Sequence, residues 1–274
     1  MYTLRPEHVQ YQKGVVVVGC GGTGGFVAEG LCRLLPRDYT LVLIDGDLVE
    51  PANLQRQNFY TEDLGRYKSQ ALAERLARQF QRPVAYGLEY LSTEFEYRKT
   101  PLPKCGLVIG CVDNTPARAA IALAMRDKHW GWWVDAGNAE NWGQVLIGNA
   151  NVDQIGPVFV EEEQSVYALP MPTIQRPQLL IEPAVEEPDI DCAEAVVLGD
   201  QSPTINQAMA ALVLEVSRRL ILGTCPWMSL FLDLDTGELK PTYATPEAVS
   251  RLTGLTVRSL MHGPRIKNRE GGNA

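Results

Sequence analysis

Histidine is nearly missing from this chain, at three residues in 274, and its six cysteines (Cys20, Cys32, Cys105, Cys111, Cys192 and Cys225) stand singly with no CxxC pair. Together these scarcities argue against a Cys/His zinc site and against a disulfide framework. No apolar run approaches the roughly eighteen residues that cross a bilayer, and "MYTLRPEHVQ" has no basic-then-apolar leader pattern. The expectation is a cytoplasmic protein with no membrane partner. Basic runs are missing too, apart from "RIKNREGGNA" at the end; with a net charge of −8 this argues against a nucleic-acid partner.

What is present is apolar: 45% of the residues, ample for a sizeable core. "VVVV" (15 to 18) runs straight into glycines, the signature of a buried parallel strand entering a tight turn. A helix is expected from Thr23 to Leu35, stopped by Pro36, and "YTLVLID" (39 to 45) is a second strand. Leu72, Leu76 and Phe80 recur every four residues, which predicts an amphipathic helix over 68–80. "VAYGLEYL" and "GLVIGCVD" read as further strands, the latter ending at Asp113. Thr115 as cap and Pro116 then open a helix to about His129, followed by "WWVDAG" and "WGQVLIG".

Strands alternating with helices at this spacing predict an α/β, Rossmann-like doubly wound, mainly parallel sheet with helices on both faces. Residues 151–191, rich in proline and glutamate and without a clear period, read as an extended crossing loop rather than a layer of core. Ser202 and Pro203 open a long helix with Ile205, Met209, Leu212, Val213, Val216 and Leu220 on one face. A hairpin around Asp235-Thr236-Gly237 follows, and Thr245, Pro246 and Gly254 bracket a short helix. The expected division is a nucleotide-binding domain over 1–222 and a C-terminal hairpin, helix and tail over 223–274.

Gly19, Gly21 and Gly24 satisfy GxGxxG directly after a strand, and Asp45 ends the next strand 21 residues beyond Gly24. Taken alone this is a dinucleotide fingerprint: glycines admit phosphates to a helix N-terminus, and the acid receives ribose hydroxyls. It leaves a nicotinamide or flavin oxidoreductase, an ATP enzyme and a glycine loop serving only packing all open. "DGDLVEPANLQRQ" shifts the balance, since it adds Asp47, Asn53, Arg56 and Gln57 in one short loop, for which a dehydrogenase has no need. Lys68 heads the next helix, and Asp113 stands at the carboxyl edge of a later strand. Two cations and one carboxylate there suit a triphosphate with Mg²⁺.

In order, "GCGGTGG", "LIDGDLVEPANLQRQ", "RYKSQAL" and "CVDNTPAR" resemble the ThiF/MoeB group of adenylating enzymes, to which the ubiquitin-activating enzymes belong, over a similarity reaching about residue 222. The overall texture is most similar to the ThiF-like branch found in PRTRC gene cassettes. The resemblance implies that Gly21 and its neighbours Gly19, Gly22 and Gly24 contact phosphates and Asp45 the ribose, in the loop that also carries Asp47 and Gln57. It implies Asn53, Arg56 and Lys68 on the triphosphate and Asp113 on Mg²⁺. Ala52 stands where the family usually has Ser, and Arg5 is the sole N-terminal arginine that could match one which relatives often supply from a partner subunit.

The implied substrates are ATP and the C-terminal carboxylate of a small ubiquitin-like or sulfur-carrier protein. A conjugating-enzyme-like protein is implied downstream, and a homodimer as the enzyme. A carboxylate is already ionised at pH 7, so its attack needs no general base, and no Ser/His or paired-acid constellation stands out in the chain. "DCAEAVVLGDQSPTINQAMAALVLEV" resembles the stretch in which a family cysteine takes the acyl group or sulfur, which makes Cys192 the candidate nucleophile. Asp189, Asp191 and Glu194 crowd it with negative charge, which works against a thiolate. A family member that activates a carboxylate on tRNA-bound threonylcarbamoyladenosine, and a non-catalytic module that retained a nucleotide pocket, are the remaining alternatives. Trp132, Trp133 and Trp142 read as core aromatics with a docking surface as the other option, and Glu161 to Glu163 as a solvated loop.

Overall fold

The computed structural model describes residues 1–91, 105–126, 131–181 and 203–262. Its strands are β1 (Thr3–Leu4), β2 (Gly14–Val18), β3 (Thr40–Ile44), β4 (Ala85–Gly87), β5 (Leu107–Gly110), β6 (Trp132–Asn138), β7 (Trp142–Gly148), β8 (Phe159–Val160), β9 (Ser165–Val166), β10 (Trp227–Asp233) and β11 (Glu238–Tyr243). Its helices are α1 (Glu7–Gln12), α2 (Gly22–Leu34), α3 (Lys68–Phe80), α4 (Thr115–Met125), α5 (Pro172–Gln175), α6 (Pro203–Leu222), α7 (Pro246–Thr253) and α8 (Val257–Leu260).

One eight-stranded sheet, in the order β11-β10-β7-β6-β5-β2-β3-β4, organises the chain. From β4 to β6 every pairing is parallel; β6, β7, β10 and β11 pair antiparallel. Period two along β2 explains its double burial. Val15 and Val17 join the larger core with α2, α3 and α6, while Val16 and Val18 join a smaller one with Ile121, Met125 and Trp133. Each fully buried Val or Leu side chain contributes about 1.5–3 kcal/mol. The chain winds from β2 out to β4, then returns to β5 on the other side of β2, so the sheet order reverses between β2 and β5. In sheets of this kind that switch point opens a crevice at the carboxyl ends of the strands.

Local chemistry accounts for the element ends. Arg82 donates to the carbonyls of Leu35 (2.9 Å) and Tyr39 (2.8 Å), with longer bonds to those of Cys32 and Pro36, which satisfies the orphan carbonyls past α2. Thr245 Oγ1 accepts from Ala248 N, and Gly254 closes α7 with φ 74°, as the Thr–Pro…Gly bracket predicts.

Several expectations are corrected. The helix after β5 is capped by Asn114, whose side chain accepts from Ala117 N, rather than by Thr115, and it ends at Met125; residues 127–130 lie outside the described residues. β5 stops at Gly110, three residues before Asp113, and β4 spans only three residues of "VAYGLEYL". β6 and β7 form an antiparallel hairpin, so the parallel winding ends there.

The stretch 151–181 is not a bare crossing loop. It contributes β8 and β9, which form a three-stranded sheet with β1, as well as α5, and it buries Val158, Phe159, Leu169 and Met171 in the core. Proline-rich texture hid a segment whose apolar residues are spaced for irregular packing rather than for a periodic element. The C-terminal hairpin β10–β11 extends the main sheet through β7. Among the described residues no helix is long and apolar enough to cross a membrane.

Candidate functional site

A cavity of about 770 Å³ opens at the switch point between β2 and β5. The glycine turn forms one wall. Gly19 has φ 87°, where a side chain is strained, and a Cβ there would lie 2.5 Å from the Cys111 carbonyl. A Cβ on Gly24 would fall 1.9 Å from the Gly19 carbonyl, so Gly24 serves the approach of turn to helix and does not line the cavity, whereas Gly19, Gly21 and Gly22 do. Gly21, Gly22 and Thr23, at the start of α2, line the cavity, and a helix N-terminus is a setting that favours anions.

Asp45 leaves the end of β3 and is buried. Its Oδ2 accepts from Cys20 N at 2.6 Å and its Oδ1 from Asp47 N at 2.8 Å, which ties the glycine turn to the next loop. Burial pushes its carboxyl above the usual range against the pull of those two N–H groups. Lys68 heads α3, with Nζ 2.9 Å from Asp47 Oδ2. Asp47 also accepts from the Tyr90 hydroxyl; burial would raise its carboxyl, but the bonds from Tyr90 and Lys68 outweigh it and hold it below the usual range.

The loop between β3 and α3 is pinned by Arg75, which pairs with buried Asp63 and donates to the Asn58 carbonyl. This rigid loop presents Arg56 and Gln57 to the cavity. Gln57 packs over Gly21, and its Oε1 is buried with no hydrogen-bond partner. Asn53 is placed differently: its Oδ1 caps the backbone N–H of Glu50 at 3.0 Å, and it is not a wall residue of the cavity. Across the cavity the chain leaving β5 brings Asp113, exposed, and Asn114.

The cavity thus gathers Gly19, Gly21, Gly22, Asp45, Asp47, Arg56, Gln57, Lys68 and Asp113, and leaves Gly24 and Asn53 behind its wall. Cys192, with its acidic neighbours, lies outside the described residues. Arg5 is engaged elsewhere, with Ser165, Glu163 and Glu7. Trp132 and Trp133 are core residues, while Trp142 is half exposed and lines the cavity. Glu161, Glu162 and Glu163 are exposed.

Sequence reasoning passed over Tyr90, Arg118 and a polar cluster in which Thr23 donates to Asn138 and Asn206 at 3.2 and 3.3 Å, while Asn206 reaches the Arg56 carbonyl at 3.4 Å. An asparagine within the apolar face of α6 was the available signal for the last. Burial pushes the thiols of Cys20, Cys32, Cys105, Cys111 and Cys225 upward, so none of these is a ready nucleophile.

Mg²⁺ takes one or two carboxylates together with phosphate oxygens and water rather than an all-protein cage. Asp113, a single exposed carboxylate on the wall of a cavity wide enough for phosphates, fits that donor set. Among the described residues no cluster of three or more His, Cys, Asp or Glu forms a cage.

Fold and crevice together define a Rossmann-like α/β protein whose switch point holds a cavity lined by a glycine turn, by the cations Arg56, Lys68 and Arg118, and by the carboxylates Asp45, Asp47 and Asp113. The chain belongs to the ThiF family, which matches residues 10–225. It is 36% identical over 140 residues to ubiquitin-like modifier-activating enzyme 5 of Dictyostelium discoideum, covering 46% of this chain and 35% of that protein. It is 32% identical over 119 residues to the ATP-dependent ubiquitin transferase-like protein Cap2 of Escherichia coli (strain TW11681), covering 42% of this chain and 20% of that one. The chain thus spans about a third or less of the length of these relatives. Among solved structures, PaaA superposes with a TM-score of 0.61 at 19% identity, over 86% of this chain and 65% of that one. E. coli MccB, solved with ATP, gives 0.57 at 17%, over 86% and 65%. These two likenesses establish the fold.

Proposed function

We propose that the protein is an ATP- and Mg²⁺-dependent adenylating enzyme that activates the C-terminal carboxylate of a small ubiquitin-like or sulfur-carrier protein. The observation that carries this reading is the convergence of Arg56, Lys68 and Asp113, from three separate segments, on the one cavity that also holds the glycine turn and Asp45. Family membership and the named relatives support it.

In the reaction, a carboxylate oxygen of the carrier attacks the α-phosphorus of ATP. The new O–P bond forms as the bond to the bridging oxygen breaks, and pyrophosphate leaves with the electron pair. Both reactants are anions, so the protein's task is alignment and charge compensation. The N–H groups at the start of α2 receive phosphate oxygens, Asp45 holds the ribose hydroxyls, and Arg56 with Lys68 offsets charge on the phosphoryl group and the departing pyrophosphate. Asp47 keeps Lys68 extended toward the cavity. Asp113 would hold Mg²⁺, which supplies further neutralisation of phosphate charge when bound.

The reading extends, on the family resemblance, to a homodimeric cytoplasmic enzyme of the PRTRC type, a conjugating-enzyme-like protein downstream, and Cys192 as acyl acceptor. It also keeps 1–222 as the adenylation domain. Carrier-dependent exchange of labelled pyrophosphate into ATP tests it: exchange is expected, and a protein whose melting temperature rises with NAD but not with Mg²⁺-ATP would sink the reading. A Cys192→Ala protein that still forms a thiol-sensitive adduct with the carrier at full yield would remove Cys192 from the scheme.

A further inference from the structure

Behind the cavity wall, reached through Arg118, which lines it, lies a charge pair that the chemistry above does not use. Asp135, in the middle of β6, is fully buried, and its Oδ2 lies 3.4 Å from Arg118 Nε on α4. Arg118 is itself buried, lines the cavity, and donates through Nη2 to the carbonyl of Val112. Its Nη2 lies over Gly137, where a Cβ would stand 3.3 Å away. The other carboxylate oxygen, Oδ1, is buried without a partner. It faces Gly110, where a Cβ would come within 3.0 Å, beside the equally unpartnered Trp133 Nε1.

As a source of stability this arrangement is poor. Desolvating two charges offsets most of their attraction, and an apolar pair of similar volume is commonly as stable or more so. One oxygen is left unsatisfied, and a glycine inside a buried strand makes room for it. What the pair does accomplish is geometric, because Arg118 bridges β6 and the chain leaving β5, and the carbonyl it grips belongs to the residue immediately before Asp113.

We propose that Arg118 and Asp135 are positioning residues: the guanidinium, held by Asp135, fixes the Val112–Asp113 peptide so that the Asp113 carboxylate meets the metal of a bound nucleotide. This rests on the nucleotide reading of the cavity, and it concerns residues that the adenylation scheme leaves idle.

The test needs no carrier. Calorimetric titration with ATP, once with Mg²⁺ and once with EDTA, gives the increment in affinity that Mg²⁺ adds. The variants are Asp135→Asn and the apolar pair Arg118→Met with Asp135→Leu, each checked for a cooperative unfolding transition. We expect Asp135→Asn to bind ATP in EDTA within about threefold of the wild type, and both variants, each compared with its own affinity in EDTA, to lose about tenfold of the Mg²⁺ increment. A purely structural pair predicts instead that the folded double variant keeps the whole increment, which overturns the inference. Should the double variant fail to fold, Asp135→Asn decides in the same way, since it preserves the shape of the side chain. Wild-type protein that binds ATP in neither buffer overturns the nucleotide reading itself and this inference with it, a result distinct from the one that overturns the inference alone.

Discussion

The two halves of the main sheet differ in residue pattern and in use: β2, β3 and β5 are nearly continuous apolar runs, whereas β7, β10 and β11 mix polar residues among apolar ones. In the parallel half, β2 and β5 are buried on both faces, helices lie on each side, and residues at or just past the carboxyl ends of β2, β3 and β5 line the cavity. In the antiparallel half, β11 is almost wholly exposed, and Trp142, on the cavity wall, packs at a tilt against Phe231 with ring centroids 5.9 Å apart and half of the indole exposed. Parallel strands need helical crossovers, which cover both faces; hairpins need none, so one face stays open. The parallel half builds the crevice lined by the glycine turn, Arg56 and Lys68. The antiparallel half leaves an open face beside it.

The difference is sharpest in stability. Leu31→Ala, on α2 against the parallel half, empties a fully buried site and is expected to cost about 2–5 kcal/mol. Leu239→Ala on β11, half exposed, should stay within about 0.5 kcal/mol. Urea unfolding measures both, and equal costs would break the comparison. Activity divides the same way. Arg56 makes no ion pair with another described residue, so Arg56→Ala should lower carrier-dependent pyrophosphate exchange about 10²-fold, about 2.7 kcal/mol of barrier, with an unchanged melting temperature.

Asp135 gives the parallel half a pH signature. Burial, against the pull of Arg118, pushes its carboxyl up to about 6 from an ordinary 3.8. An acid whose pKa is raised by folding contributes stability that is fully present below about 3.8 and is lost as pH rises through about 6. The stability of wild type relative to Asp135→Asn should therefore fall between pH 4 and 7, by about 3 kcal/mol at most. Denaturant midpoints of the two proteins across that window check it; parallel curves would mean that folding leaves the Asp135 carboxyl at its ordinary value.

How much of this was legible beforehand follows the same divide. The glycine turn, Asp45 and α3 from Lys68 to Phe80 could be read because each is specified locally: by a positive φ, by spacing from a strand, or by an apolar period. The core role of 151–181 could not, since short irregular segments such as β8 and β9 acquire meaning only from a distant partner, here β1. Asn53 illustrates a subtler limit. Its position in the loop suits phosphate contact, yet a polar side chain three residues after Glu50 is equally suited to capping that turn, and the structure uses it so. Asp135 amid "WWVDAG" was a visible warning of a buried charge, but its partner 17 residues earlier is chosen by topology.

The smallest effect separates position from strength. Asn114 and Thr245 are both helix N-caps followed by a proline in the first turn, each accepting from a backbone N–H three residues on. Removing either side chain with alanine should cost about 1 kcal/mol. Thr245 sits far along the chain at the start of α7, whereas Asn114 adjoins Asp113 on the cavity wall. Thr245→Ala should therefore lower the melting temperature and leave ATP affinity alone, while Asn114→Ala, at the same thermal cost, should also weaken Mg²⁺-ATP binding by a few fold, because fraying at the start of α4 loosens the carboxylate beside it. Equal ATP affinities in two equally destabilised variants would show that the wall of the crevice tolerates local loosening, and that its rigidity is not what fits it to its ligand.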